Sequence, residues 1–253
     1  MKQRVLVTAG ASGIGWAIAR TFAQNGAAVH IADIDETKLH KVTREDAGIT
    51  GSVVDVADAR DVKRLFEDVA LGLGGLDVLV NNAGIAGPTM PVAEYPDDAW
   101  ASVVSVNLTG TFNVTKAAIP MLKASTCGSI LVMSSLAGRF GYPNRCAYST
   151  TKWGLVGFAK TLAMELGPHG ITCNTIHPGA VEGPRIESVL AGRASAAGTS
   201  VAIEMQKALA NQSVKAFVDP YDIAELVLFL TGPHARTISG QSFPIDGDSK
   251  STQ

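Results

Sequence analysis

Arg4-Val5-Leu6-Val7-Thr8-Ala9-Gly10-Ala11-Ser12-Gly13-Ile14-Gly15 joins a short, mostly β-branched run to a glycine cluster, after which the sequence takes helical period. Ile14, Ala17, Ile18 and Phe22 fall on one face of a helix expected over 13 to 25. A strand that turns through glycines straight into a helix gathers backbone N–H groups and the positive end of the helix dipole at one point. That arrangement receives a pyrophosphate. The spacing is Gly10-x-x-Gly13-x-Gly15 and not GxGxxG, so the turn is longer than the usual dinucleotide turn, and tight packing is the other reading of it. Gly10, Ser12, Gly13, Ile14 and Gly15 are the expected phosphate contacts.

The same alternation repeats outward from this stretch. Ala28 to Asp33 reads as a strand, followed by a helix over 35 to 44. Ser52-Val53-Val54-Asp55 reads as the third strand, before a helix that holds Val62, Leu65, Phe66 and Val69. Asp77 to Asn81 is the fourth, and a long helix follows over 97 to 124. Ser129 to Ser134 is the fifth, with a helix from 147 to 167 stopping at Gly167-Pro168. Ile171 to Ile176, a helix over 220 to 231 and a last strand at Ser242-Phe243-Pro244-Ile245 complete the series. Strands alternating with helices give a single α/β domain: a doubly wound parallel sheet of about seven strands with helices on both faces. The Gly/Ala/Ser-rich stretch 183 to 215 has weak helical segments and falls where loops cover the carboxyl edge of such a sheet. It is expected to be a substrate lid, a peripheral helical pair being the alternative.

Composition narrows the partners. The 253 residues carry 21 Lys and Arg against 23 Asp and Glu, a net charge of -2, with no run of five or six like charges. Neither nucleic acid nor an anionic membrane surface is an expected partner. No apolar stretch is long enough to span a bilayer, and the run before Thr8 is too short for a signal-peptide core. Three Cys without metal-ligand spacing suit a reducing compartment, so the cytoplasm is expected and no metal site. Only 17% of residues are charged while 46% are hydrophobic and 26 are Gly, where soluble domains run nearer a quarter charged. So thin a polar coat points to surface covered by another copy of the chain.

Asp33 ends the second strand about twenty residues beyond the glycine turn, where a carboxylate accepts both ribose hydroxyls of an adenosine and repels a 2′-phosphate. With no basic residue in the loop or directly after Asp33, NAD is expected over NADP. Capping of the following helix is the other role open to Asp33. Asp55-Val56 is placed for the adenine edge. The amides of Asn81-Asn82-Ala83-Gly84 either bond the cofactor or tie strand ends together. Tyr148 and Lys152 stand i and i+4 on one helix face, Ser135 follows the fifth strand, and Asn107 lies in the long helix.

Thr8 to Gly15, Asn81 to Gly84, Val106-Asn107-Leu108, Ser134 to Gly138, Tyr148-x-x-x-Lys152, Pro178-Gly179 and Ser239-Gly240-Gln241 to Asp246-Gly247 occur in register along essentially the whole chain. Together they resemble the short-chain dehydrogenase/reductase family. The resemblance implies a Rossmann-like fold, a nicotinamide cofactor, and Asn107, Ser135, Tyr148 and Lys152 as catalytic residues. It also brings Asn82, Ala83, Gly84, Pro178, Gly179 and Val181 to the cofactor, beside Tyr148 and Lys152.

The chemistry is consistent with that assignment. Oxidising a secondary alcohol needs a base for the hydroxyl proton as hydride leaves the carbon. A phenol of pKa about 10 is a weak base at neutral pH, and a neighbouring ammonium favours its phenolate. Ser135 would bond the substrate oxygen as charge develops there, and Asn107 would link the site to solvent through a water beside Lys152. Three positions depart from the family pattern: Ala9 for the first loop Gly, with Gly10 expected to keep the turn open; Gly183 for a Thr that bonds the nicotinamide amide; and Asp248 for a terminal Gly. The second leaves the Val181 backbone, Glu182 or a water to hold that amide.

Asn144 to Lys152 resembles family members that oxidise hydroxy acids and 2-keto-3-deoxy sugar acids, in which the residue matching Arg145 meets a carboxylate. Arg185, and less directly Arg193, begin the expected lid and would complete a guanidinium clamp; surface ion pairs are the plain alternative. The expected function is hydride transfer between NAD and a small, sugar-derived or simple hydroxy acid. The competing readings are a 3-oxoacyl thioester reductase and a dinucleotide-sensing binding protein without turnover. In the family the helices at 97 to 124 and 147 to 167 pair across a two-fold axis, so a homotetramer or homodimer is expected through them.

Overall fold

A computed structural model describes residues 2–251; the side chains of Arg185, Arg193 and Ala196 lie outside that description. The strands are β1 (Arg4–Thr8), β2 (Ala28–Asp33), β3 (Ile49–Val53), β4 (Val78–Asn81), β5 (Ser129–Met133), β6 (Thr172–Pro178) and β7 (Ser242–Ile245). They form one sheet in the order β3-β2-β1-β4-β5-β6-β7, and every neighbouring pair is parallel. The helices are α1 (Gly13–Gln24), α2 (Glu36–Glu45), α3 (Ala59–Leu73), α4 (Asp97–Val104), α5 (Thr111–Lys123), α6 (Cys146–Leu166), α7 (Pro184–Ala197), α8 (Val201–Ala210) and α9 (Pro220–Leu230).

Side chains along a strand alternate between faces, and here both faces are covered. Val5, Val7, Val29 and Ile31 pack with Ile18 and Phe22 of α1 and Ile223, Val227 and Leu230 of α9. On the opposite face Leu6, Leu79, Ile130 and Val132 meet Leu65 and Val69 of α3, Val114 and Leu122 of α5, and Leu155 and Leu162 of α6. The strand order reverses between β1 and β4, which opens a crevice at their carboxyl ends, where open α/β sheets take their ligands.

Three expectations need correction. The third strand begins earlier than Ser52: Ile49 pairs with Val29 and Val53 with Asp33. A Cβ at Gly51 would stand 2.7 Å from the Leu39 Cδ1 of α2 and 3.1 Å from Ile31 O, which favours glycine inside this strand. Asp55 therefore lies in a turn beyond the strand. The long helix is not continuous, since a π-helical turn at Ser105–Gly110 separates α4 from α5. The stretch 183 to 215 contains two full helices, α7 and α8, and not only weak segments. It leaves the sheet through a neck closed by a parallel bridge between Val181 and Val218, with Glu182 N donating to Val218 O at 2.9 Å and Val218 N to Ala180 O at 2.9 Å.

Candidate active site

The glycine turn is held against the end of β2. Gly10 N donates to Ala32 O at 3.2 Å, and Ala11 N to Asp33 Oδ2 at 3.0 Å. A Cβ at Gly10 would lie 2.6 Å from Ile31 Cβ, and one at Gly15 would run into the Ala9 carbonyl oxygen. Gly10 thus leaves room for the Ile31 side chain, and Gly15 lets backbone approach backbone. Gly13 serves differently: its φ is +54°, with nothing within 4 Å of a Cβ there, so it keeps the mouth of the turn clear. Ser12 is the N-cap of α1 and its side chain makes no capping bond, while the first turn carries no acid. The first turn of α1 is thus neither capped by the Ser12 side chain nor countered by an acid of its own, which fits a pyrophosphate.

Gly10 is not what keeps the turn open. Ala9 itself takes φ +48°, a left-handed conformation that costs an L-residue about 1–2 kcal/mol. That strain accounts for the Gly usual at this position. Asp248, the other residue standing for a family glycine, has φ +57°, which Asp tolerates better than most residues; its carboxylate accepts from Ser213 Oγ at 2.5 Å.

Asp33 is not the cap of the following helix, because Asp35 fills that position by accepting from Lys38 N. Asp33 instead takes Ala11 N on one oxygen and Asp35 N at 3.0 Å on the other, fixing its carboxylate at the end of β2 beside the glycine turn. In the turn after β3, Asp55 Oδ1 accepts from Ala57 N at 2.9 Å, and Val56 is buried under Gly110 of the π turn. The Asn82 side chain serves as a tie: Nδ2 donates to Thr8 O and Ala9 O, both at 3.1 Å. Thr8 Oγ1 returns the contact by accepting from Asn82 N and Ala83 N. Strand ends β1 and β4 are thereby locked together under the crevice.

Lys152 and Tyr148 lie in the first two turns of α6. Lys152 is buried, and its Nζ donates to Met133 O at 2.8 Å at the end of β5; it stands 5.6 Å from the centroid of the Tyr148 ring. Gly84 lies between two of the expected groups, since a Cβ there would be 3.2 Å from Asn107 Oδ1 and 3.3 Å from Lys152 Nζ. Ser135 follows β5; its Oγ accepts from Ala137 N at 3.2 Å, a bond that does not use the hydroxyl's own proton. Ser149 Oγ, donating to Ala137 O at 2.8 Å, ties this turn to α6.

Asn107 sits in the π turn, a feature frequent at functional sites. Its Oδ1 accepts from Ile85 N at 2.8 Å, while Nδ2 donates to Ile85 O and Thr151 Oγ1, both at 3.0 Å. Both ends of the amide are committed to protein, so the side chain is a brace between the β4 loop and α6.

Arg145 is the residue before α6. Its guanidinium lies 5.5 Å from the Tyr142 ring and 5.7 Å from the Tyr148 ring. Nη1 donates to Thr89 Oγ1 at 2.8 Å, whereas Nε is buried without a hydrogen-bond partner. Arg185 belongs to the first turn of α7; its side chain is among those not described.

Gly179 N donates to Ile245 O at 3.0 Å, and a Cβ on it would stand 2.9 Å from Asp246 Cα. That keeps the Pro178-Gly179 turn flat against β7. The bridge before α7 uses Ala180 and Glu182, leaving the N–H and C=O of Val181 outside those two bonds. Gly183 has φ +128° and ψ -179°, a region essentially reserved for glycine, so a Thr could not stand here without strain.

Sequence reasoning missed Thr8, Thr151 and His177. His177 carried a signal: it is a polar residue within a run destined for a fully buried strand, directly before Pro178-Gly179. Among the described residues no group of three His, Cys, Asp or Glu is placed to hold a metal ion, and no helix is long and apolar enough to cross a membrane.

Residues 8–247 match the family model described as enoyl-(acyl carrier protein) reductase. The chain belongs to the short-chain dehydrogenase/reductase family. It is an oxidoreductase of that family with the family's seven-stranded parallel sheet. It is 36% identical to a 3-oxoacyl-[acyl-carrier-protein] reductase of Thermotoga maritima, over 96% of this chain and 95% of the relative. It is 32% identical to a D-beta-hydroxybutyrate dehydrogenase of Rhizobium meliloti, over 98% of each. Among solved structures, a variant of actinorhodin polyketide ketoreductase with NADPH superposes with a TM-score of 0.92 at 35% identity, covering 97% of this chain and 96% of that one.

Proposed function

We propose that this short-chain dehydrogenase/reductase interconverts a small hydroxy acid and its oxo acid with NAD. When bound, NAD supplies the hydride acceptor and donor. Gly10, Ser12, Gly13, Ile14 and Gly15 hold its pyrophosphate, Asp33 its adenosine ribose, and Asp55 and Val56 the adenine edge. Ala83, Gly84, Pro178, Gly179 and Val181 line its nicotinamide half, with Asn82 supporting them from below. Tyr148 takes the hydroxyl proton, Ser135 donates to the substrate oxygen as it becomes a carbonyl, and the Lys152 ammonium favours the phenolate form of Tyr148. Asn107 braces the loop that carries Gly84. A second Lys152 role is to hold the nicotinamide ribose.

The observation that carries the substrate class is Arg145. A guanidinium 5.7 Å from the Tyr148 ring, with Nη1 held by Thr89 and Nε left without a hydrogen-bond partner, supports recognition of a carboxylate near the reacting centre. Arg185 on α7 is its proposed partner in the clamp, and α7 with α8 is the lid. A charge-assisted bond is worth about 1.5–3 kcal/mol. Arg145→Ala is therefore expected to raise KM for the best substrate in a hydroxy-acid panel by about 10- to 100-fold, while a neutral secondary alcohol is unaffected. NAD is expected to outperform NADP in the same assay, because Asp33 meets a 2′-phosphate with like charge. An unchanged KM for every carboxylate sinks the substrate class.

The 36% identity to an oxoacyl carrier-protein reductase favours a second reading, reduction of a 3-oxoacyl thioester. NADPH preference together with turnover of acetoacetyl thioesters would establish it over the first.

The proposed assembly is a homotetramer or homodimer through α4–α5 and α6. Phe112, Trp153 and Met164 are exposed large hydrophobics on these helices, and Leu108, Thr109, Phe112, Leu155 and Phe158 line an apolar groove between them. Light scattering is expected to return a multiple of 26.3 kDa; the monomer mass refutes the assembly. The cytoplasm is the proposed location, consistent with three cysteines that form no disulfide.

A further inference from the structure

β6 is buried along its whole length, yet it carries Thr175 and His177 two residues apart, and so on one face of the sheet. The ring of His177 is fully buried. Its Nδ1 lies 2.9 Å from Ser135 O, and its Nε2 lies 2.9 Å from Thr175 Oγ1. A carbonyl oxygen only accepts, so Nδ1 carries the proton of that bond. Burial pushes the imidazole below the usual histidine range, with the Ser135 bond acting in the other direction. The ring is therefore held neutral, and Nε2 accepts.

The direction of the remaining contacts follows. Thr175 Oγ1 has two acceptors in reach, Nε2 at 2.9 Å and Gln241 O at 3.4 Å; the shorter contact takes its proton, and Ser242 Oγ, 3.0 Å away on β7 and exposed, donates to it in turn. Thr175 pairs with Ser242 in the sheet register. A file of hydrogen bonds thus runs from the solvent side of β7 through Thr175 and His177, and ends on the main chain of Ser135. Ser135 is extended, with φ -170° and ψ 170°. It stands just past the last paired residue of β5, Met133 opposite Ile176, so the sheet ladder no longer fixes its carbonyl. That oxygen takes Gly138 N at 2.9 Å within its own turn, and the imidazole is what joins it to β6.

We infer that His177 is a positioning residue, which orients Ser135 toward the substrate oxygen by holding the Ser135 carbonyl from behind. The inference rests on the proposed role of Ser135. The contribution of His177 is to tie the turn that carries Ser135 to β6, next to the group that must meet the developing charge. Misplacement of such a group by about 1 Å costs up to about a hundredfold in rate.

The test uses amide replacements of different reach. His177→Asn puts an N–H near the position of Nδ1, whereas His177→Gln puts it near that of Nε2. Turnover is measured on the best substrate of the hydroxy-acid panel with NAD, alongside Ser135→Ala. His177→Gln is expected to lower kcat about tenfold or more with KM for NAD within twofold, and His177→Asn to restore most of the rate. In 15N-histidine-labelled protein, His177 is expected to show a protonated Nδ1 and an unprotonated Nε2.

Equal rates for His177→Gln and the parent enzyme, equal impairment of the Asn and Gln variants, or an Nε2–H tautomer overturns the inference. An unimpaired Ser135→Ala overturns the parent reading instead, whatever the His177 variants do. The tautomer is read without turnover, so it tests the His177 geometry even where the panel holds no substrate.

Discussion

Tyr148→Phe is expected to lower kcat by about three orders of magnitude and to leave NAD binding within twofold. The substitution removes one hydroxyl and keeps the ring. Two cations lie over the ring, the Lys152 ammonium at 5.6 Å and the Arg145 guanidinium at 5.7 Å, and phenylalanine preserves the π face they meet. Lys152 stays anchored on Met133 O, and the glycine turn and Asp33 lie on other elements. What disappears is the group that takes the substrate proton, and a positioned general base contributes about 10²–10⁴-fold. Steady-state NADH production gives kcat, and the fluorescence of bound NADH, displaced by NAD, gives affinity. A variant that turns over at the parent rate removes Tyr148 from the mechanism, and one that loses NAD as well as rate shows the hydroxyl acting through the cofactor site.

Much of the fold could be read because parallel strands buried on both faces are short, apolar and β-branched, and the segments between them keep helical period. The bounds of β1, β2 and β7 coincide with the runs Arg4 to Thr8, Ala28 to Asp33 and Ser242 to Ile245. The failures have specific causes. Gly51 interrupts a strand pattern for a reason that resides in α2, the Leu39 side chain above it, and no local pattern encodes that contact. The π turn adds a residue to one helical turn without altering the composition of 97 to 124, so hydrophobic period runs straight through it. Ala9 does not advertise its left-handed backbone, because alanine is a good residue in nearly every other conformation.

The site divides the same way. Tyr148, Lys152 and Ser135 are legible as candidates from the resemblance to the family and the chemistry an alcohol oxidation needs, and the structure brings Lys152 Nζ within 5.6 Å of the Tyr148 ring. What Asn107, Asn82 and His177 do is visible only once distant carbonyls and hydroxyls are brought to them. The low charged fraction also gains an address: part of the apolar surface it implied is the groove between the π turn and α6.

Asn107→Ala is expected to destabilise the fold by about 2–4 kcal/mol and to weaken NAD binding, so its loss of activity will not be confined to kcat. The amide makes three bonds, two of them to the N–H and C=O of one residue, Ile85, in the manner of a strand neighbour; the third goes to the buried Thr151 hydroxyl. Alanine abandons all three partners in a region where water reaches only part of them, and a buried group left unsatisfied costs about 1–3 kcal/mol. For a domain of this size about 1 kcal/mol moves Tm by roughly 2–4 °C, so a fall of about 5–15 °C is expected in a thermal melt. The loop released is the one that carries Gly84 between Asn107 Oδ1 and Lys152 Nζ, which is why the cofactor site should loosen along with the fold.

Thr151→Val supplies the graded comparison. It removes one of the three contacts and also the bond from Thr151 Oγ1 to Tyr148 O at 2.9 Å, while the clasp on Ile85 remains. Its fall in Tm should be the smaller. If instead Asn107→Ala keeps its Tm and its NAD affinity while kcat alone collapses, the side chain is a proton-relay element and not a brace. The Ile85 loop must then be held by the strand end and the Asn82 tie.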